Sequence, residues 1–212
     1  MGTSTPYPNG QTLVSSALTV SQMNALLQSL TCAMIGLPLP SSGLPAGYAR
    51  VRIDWPQEGQ PFTTTPNQDG CFLACVPHDV DYTRVRNRTV SGAGTELSPL
   101  TETWTYTRGW RVTWTAYGPN AEDNLRAIKS ALFMDYFNDQ LNLSNLFPLP
   151  DPSEVTYLPE TFNAQWWPRA DFAVIMYENV TETIQDGAVT SVEVKVYDGS
   201  PEDPVADFTV TV

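Results

Sequence analysis

Histidine is nearly absent, since His78 is the only one in a chain of 212 residues. A histidine-rich metal centre or a two-histidine zinc motif therefore has no second ligand to draw on, and a Ser–His–Asp triad has a single candidate base. Cationic charge is also scarce: 11 Lys and Arg stand against 23 Asp and Glu, for a formal net charge of −12. That balance argues against wrapping DNA or binding an anionic membrane, because both need a basic surface to displace counterions. Cys32, Cys71 and Cys75 are an odd number at no disulfide-framework spacing. With neither a basic start nor an apolar stretch at the N-terminus, the expectation is a protein made and kept in a cytoplasm. No apolar run approaches the roughly 20 residues of a membrane-spanning helix. The glycine patterns of nucleotide cradles and of the hydrolase elbow are missing as well, so the expectation is a non-enzyme without a cofactor.

What is present is enough to fold. Hydrophobic residues make up 42% of the chain and there are six tryptophans, far too much large apolar surface for a disordered segment. Residues 1–20, rich in Pro, Gly, Ser and Thr, read as a mobile N-terminal arm. Ser21 is a plausible N-cap for a helix whose Met23, Leu26, Leu27, Leu30, Met34 and Ile35 share one face, stopped by Gly36 and Pro38. Strands are expected at 48–55, 71–76 and 81–90, and over the Thr-, Trp- and Tyr-rich stretch 101–117, where Gly109 marks a bulge or bend. Gly118-Pro119 opens a second helix with a stripe of Ala121, Leu125, Ile128, Leu132 and Tyr136. After Asn138 a proline-rich irregular region runs to Arg169, too long for an idle loop. Strands resume at 170–180 and 189–197, joined by an Asp186-Gly187 hairpin turn, with a short last strand at the C-terminus. Two principal helices on one face of a mainly antiparallel sheet make the fold class α+β. The domain reading is an arm over 1–20, one domain over 21–197 and an extension over 198–212.

Few constellations could carry chemistry. Cys71, Cys75 and His78 form a C-x3-C-x2-H cluster, but in a strand the two cysteines lie about 13 Å apart, too far to share an ion. Buried small hydrophobes are the better reading of both, and no metal is expected. Trp166-Trp167, followed by Arg169, is the most distinctive aromatic cluster; it suits an interface anchor or a core Trp with a rim neighbour, and less well a sugar-stacking platform. Arg84, Arg86 and Arg88 alternate along a predicted strand and would line one face. From Arg84 to Arg111 five arginines face Glu96 and Glu102, while eight acids from Glu178 onward face Lys195 alone. Such opposed segments suit pairing between copies of one chain.

The order of these features resembles the phage neck terminator family. The similarity rests on the helix ending in Gly36-Leu37-Pro38, the strand reading VRIDW and the long strand closing on Tyr117-Gly118-Pro119. Beyond these come the Pro-rich loop with Asn163, Trp167 and Pro168 and the strand opening Arg169-Ala170-Asp171-Phe172. The resemblance implies a structural virion protein, assembled in the host cytoplasm, whose copies form a hexameric ring that caps the tail tube and joins it to the head connector. Its implied partners are further copies, the tail tube protein and the head-completion protein, with passing contact to DNA in the lumen and no membrane. In that frame Tyr117, Gly118 and Pro119 fix the strand-to-helix corner, Arg169 and Asp171 tie the returning strand to its neighbours, and Arg84, Arg86, Arg88, Trp166 and Trp167 are candidate subunit contacts. The alternative is a carbohydrate-binding or adhesion module built on surface Trp and Tyr.

Overall fold

A computed structural model describes residues 3–6, 12–37, 50–53, 66–94, 99–162, 164–186, 191–196 and 206–211. The chain forms two compact units: a smaller one from residues 1–17, 86–105 and 181–212, and a larger one from 18–85 and 106–180. In chain order the elements are β1 (Thr3–Pro6), β2 (Thr12–Ser15), α1 (Val20–Ile35), β3 (Val51–Ile53), β4 (Gly70–Pro77), a 3-10 turn at Asp81–Arg84, β5 (Arg86–Ser91) and β6 (Leu100–Tyr117). They continue with α2 (Ala121–Ala131), α3 (Asp135–Asn142), β7 (Leu146–Pro148), β8 (Thr156–Tyr157), β9 (Glu160–Phe162), β10 (Gln165–Trp167), β11 (Arg169–Asp186), β12 (Ser191–Val196) and β13 (Ala206–Thr211). The fold is α+β, as composition and periodicity imply.

In the larger unit the sheet runs β11, β6, β4, β3. β4 lies antiparallel to β6, β7 and β8 lie antiparallel to β11, and β3 lies parallel to β4. Alternation along β6 sends Trp110, Val112, Trp114 and Ala116 into the core. Those positions meet α1, whose Met23, Leu27 and Leu30 are buried, and α2, whose Ala121, Leu125 and Ile128 recur at helical spacing on its buried face. Burying each such large side chain contributes about 1.5–3 kcal/mol. Trp114 stacks on Phe172 at 5.4 Å between ring centres and donates its indole N–H to Thr31 Oγ1 at 2.9 Å. The Thr31 hydroxyl in turn donates to the Leu27 carbonyl at 2.7 Å, so a buried polar pair inside the core is fully used.

Several details depart from the sequence expectations. Thr19, not Ser21, caps α1: its Oγ1 accepts from the Gln22 amide and the Gln22 side chain closes a capping box, while Gly36 ends the helix at φ 69°. The second helix stops at Ala131. The amides of Phe133 and Met134 bond back three residues to Ser130 and Ala131, tightening the turn before Asp135 opens α3. Tyr136, expected in the core stripe, is consequently 65% exposed. The proline-rich stretch expected to be irregular holds the second half of α3, β7, β8 and the β9–β10 hairpin. Gly109 lies inside the single strand β6, where its carbonyl accepts from the His78 amide at 2.8 Å and a Cβ would sit 2.1 Å from the His78 carbonyl oxygen, so the chain leaving β4 approaches it closely.

In the smaller unit β1 pairs with β2, and β2 with the 182–184 stretch of β11, so the 1–20 segment read as an arm holds two paired strands. β5 pairs with β6. β12 pairs with β13 rather than back onto β11; Gly187 of the expected hairpin turn lies outside the described residues, as does Asn163.

Candidate functional site

Both family-like signatures meet at one corner of the larger unit. β6 ends at Tyr117, and Gly118 turns the chain at φ 108°, a conformation that favours glycine. Space demands glycine as well: a Cβ would lie 2.6 Å from both the Gln68 carbonyl and Asp69 Oδ1. Asp69 is the pin of the corner, its carboxylate accepting from the Asn120 amide at 2.9 Å and from Asn120 Nδ2 at 2.7 Å just before α2 begins. The Gly118 amide donates to the Pro168 carbonyl at 3.1 Å, which ties the end of β6 to the start of β11.

Glu160 on β9 completes the joint. One carboxylate oxygen accepts the Tyr117 hydroxyl at 2.7 Å and the other accepts Arg169 Nη1 at 2.8 Å. The same guanidinium forks onto Asp171 at 3.1 and 2.9 Å and lies 6.0 Å from the centre of the Tyr117 ring. Burial, then the Glu160 hydrogen bond, hold the Tyr117 hydroxyl far above the ordinary phenol range, so it carries no phenolate at neutral pH. Burial works against the Arg169 charge, but the bonds to Asp171 and Glu160 outweigh it and the guanidinium is held more firmly protonated than usual. Beneath this network Trp167 is buried with Phe72 and Tyr117, whose rings meet edge to face at 5.9 Å. These committed hydrogen bonds make the corner a clamp.

The candidate contact residues are dispersed. Strand alternation separates the tandem tryptophans: Trp167 is 5% exposed and Trp166 is 70% exposed, so the two do not share one stacking platform. Arg84 is not in a strand; it sits in the 3-10 turn and pairs with Asp79 and Asp81 at 3.2 and 3.4 Å. Arg86 and Arg88 occupy alternate, exposed positions of β5, where Arg88 bonds Glu102 and lies 5.7 Å over the Trp104 ring. Much of the basic segment's charge is thus neutralised within its own chain.

Sequence reasoning missed a second polar centre. Glu178 is fully buried and accepts four hydrogen bonds: the Leu18 amide at 2.7 Å, Arg108 Nε at 3.0 Å and Nη2 at 2.6 Å, and Trp110 Nε1 at 2.9 Å. Arg108 also donates to the Leu18 carbonyl, fastening the approach to α1 onto the two long strands. Glu178 belongs to the core and not to an acidic surface. The available signal was Arg108 itself, a charge in register with Trp110, Val112 and Trp114 on the apolar side of β6, which demands a buried partner. Asp69 and Glu160 gave no comparable signal.

An α+β subunit with its sheet corner clamped in this way matches a class of phage structural proteins over residues 21–200, in the pattern described as phage neck terminator protein. The chain belongs to the phage neck terminator family. Its role is structural, in the neck of the virion, in contact with other tail and head proteins. No curated protein matches the chain. Among the described residues no helix is long and apolar enough to cross a membrane.

Proposed function

We propose that the protein is the ring-forming terminator of a tailed phage. Copies close, six to a ring, on the end of the tail tube, stop its polymerisation, and offer the opposite face to the head connector. It catalyses no reaction, and the ring assembles in the host cytoplasm with a lumen through which DNA passes. The observation that carries this reading is the family match across 180 of 212 residues, from 21 to 200. Tyr117, Gly118 and Pro119, with Arg169 and Asp171, keep the subunit's corner rigid enough to present surfaces in register around a ring.

The subunit contacts are assigned to Arg84, Arg86 and Arg88 and to Trp166, with Trp167 backing Trp166 from the core. β5 is exposed along its whole length, and a tryptophan 70% open to water is what a partner surface covers at a binding hot spot. Negative-stain imaging of the concentrated protein tests the ring, with closed six-fold particles and an open lumen as the expected result. Dispersed single subunits, alone and in the presence of tail tubes, overturn it. Reversing the charge of all three arginines is expected to abolish ring formation and tail joining; wild-type rings and infectious particles from that variant refute the contact assignment.

A further inference from the structure

α3 carries apolar side chains on its outer as well as its inner side. Leu141 is fully buried and Phe137 packs against the core beside it. Leu143 caps the helix with φ −58° and ψ −21°, so it continues the helical geometry. At about 100° per residue, Asp135, Asp139, Leu143 and Tyr136 fall within one arc of about 100° on the side away from Phe137 and Leu141. All four are exposed, Tyr136 by 65% and Leu143 by 80%. Phe133 and Met134, exposed as well, extend the patch at the start of the helix. Outer helix positions are ordinarily polar, and apolar side chains gathered there beside charge mark a binding face. Neither Asp135 nor Asp139 has an ion pair among the described residues.

β5 repeats that order of chemistry with the opposite charge. Alternation puts Arg86, Arg88 and Val90 on one face of the strand, and all three are exposed. Their steps are about 6.8 Å, while Asp135, Asp139 and Leu143 on α3 are spaced at about 6 Å. Charge, charge and apolar side chain therefore recur at nearly one spacing on both elements. With helix and strand laid side by side in the same direction, Asp135 meets Arg86, Asp139 meets Arg88 and Leu143 meets Val90. A helix lying along strands is ordinary two-layer packing. Arg88 also bonds Glu102, but a guanidinium carries five N–H donors and can serve a second carboxylate. Even with Glu102 counted, the strand face is positive and the helix face negative.

We propose that the outer face of α3 on one subunit lies along β5 of the next copy of this chain. The two aspartates select the arginines and set the register, and Tyr136, Leu143 and Val90 lose their exposed apolar surface to one another. The contact joins two different patches, so it is heterologous and propagates around a ring until it closes. This inference rests on the ring reading and names the surface that the arginines of β5 meet.

Charge reversal in the full-length chain tests it by native mass spectrometry, with R86E/R88E on the strand and D135R/D139R on the helix. Each variant alone is expected to keep the wild-type circular dichroism spectrum and to lose rings, with self-association weakened at least about tenfold. Mixed in equal amounts they are expected to form rings in which the two variants alternate, because every contact then joins opposite charges. A pairing made inside one chain gives no such rescue by mixing. Leu143→Ser leaves the charges and the core untouched and is expected to weaken self-association about tenfold; it decides the matter if D135R/D139R fails to fold. Loss of rings in R86E/R88E together with wild-type rings from D135R/D139R overturns α3 as the receiving surface and leaves the ring reading standing. A mixture that forms no alternating rings, or wild-type association of L143S, does the same. A wild-type chain that never forms rings, alone or with tail tubes, overturns both.

Discussion

Replacing Arg108 by alanine leaves a charge stranded in the core. Glu178 has no exposed surface, and the substitution removes two of its four hydrogen bonds along with the guanidinium that balances it. Breaking a buried ion pair from one side costs about 3–5 kcal/mol. The Arg108 side chain is 30% exposed, so water partly reaches the vacated space and the low end applies, about 3 kcal/mol. At this chain length each kcal/mol moves the melting point by about 2–4 °C, so R108A is expected to melt about 6–12 °C below the parent by circular dichroism at neutral pH. Removing both charges separates this cause from lost packing. The R108M/E178L double variant leaves no uncompensated carboxylate and is expected to recover most of the loss, since apolar replacement of a whole buried pair is often neutral. A single variant melting within about 2 °C of the parent, or a double variant less stable than the single, would refute the reasoning.

Other expectations concern the corner and the cysteines. Gly118→Ala places a Cβ 2.6 Å from Gln68 and Asp69 atoms in a left-handed conformation, and is expected to cost about 2–3 kcal/mol by urea denaturation; a midpoint equal to the parent's contradicts the close approach. Tyr117→Phe removes the hydroxyl bond to Glu160 and is expected to cost about 1 kcal/mol, with no further loss when Glu160→Ala is already present. Burial, then the nearby Glu178 charge, push the Cys75 thiol from 9.0 up to about 11. The folded state therefore holds a proton that the unfolded chain releases, so stability is full below pH 9 and falls as pH rises toward 11. Melting curves across that window are expected to decline less steeply for Cys75→Ala, and parallel curves would remove Cys75 from the account.

Much of the fold was legible because it follows from local periodicity. The buried stripe of Ala121, Leu125, Ile128 and Leu132, the face of Met23, Leu27 and Leu30, and the long strand ending at Tyr117 are each dictated by spacing within one element. What escaped depends on distant partners. The break before Asp135 is a backbone choice that the apolar pattern runs straight across, and the pairing of β12 with β13 rather than β11 is a competition between strands that a turn signal does not decide. At the clamp, Tyr117 and Arg169 were readable as signatures, yet Glu160 and Asp69 came from loops whose sequences read only as irregular. Trp166 and Trp167 could be separated only once strand alternation fixed which one turns inward.

β6 and β11 are neighbours in one sheet, and within the larger unit they run over residues 106–117 and 169–180, each about 40 Å long. Their mutual hydrogen bonds run across the strand direction. Tension along that direction therefore strains their shared rungs together in shear and does not peel them one at a time from an end. A unit built on such a pair resists pulling as a rivet does, holding stiffly until the whole seam gives.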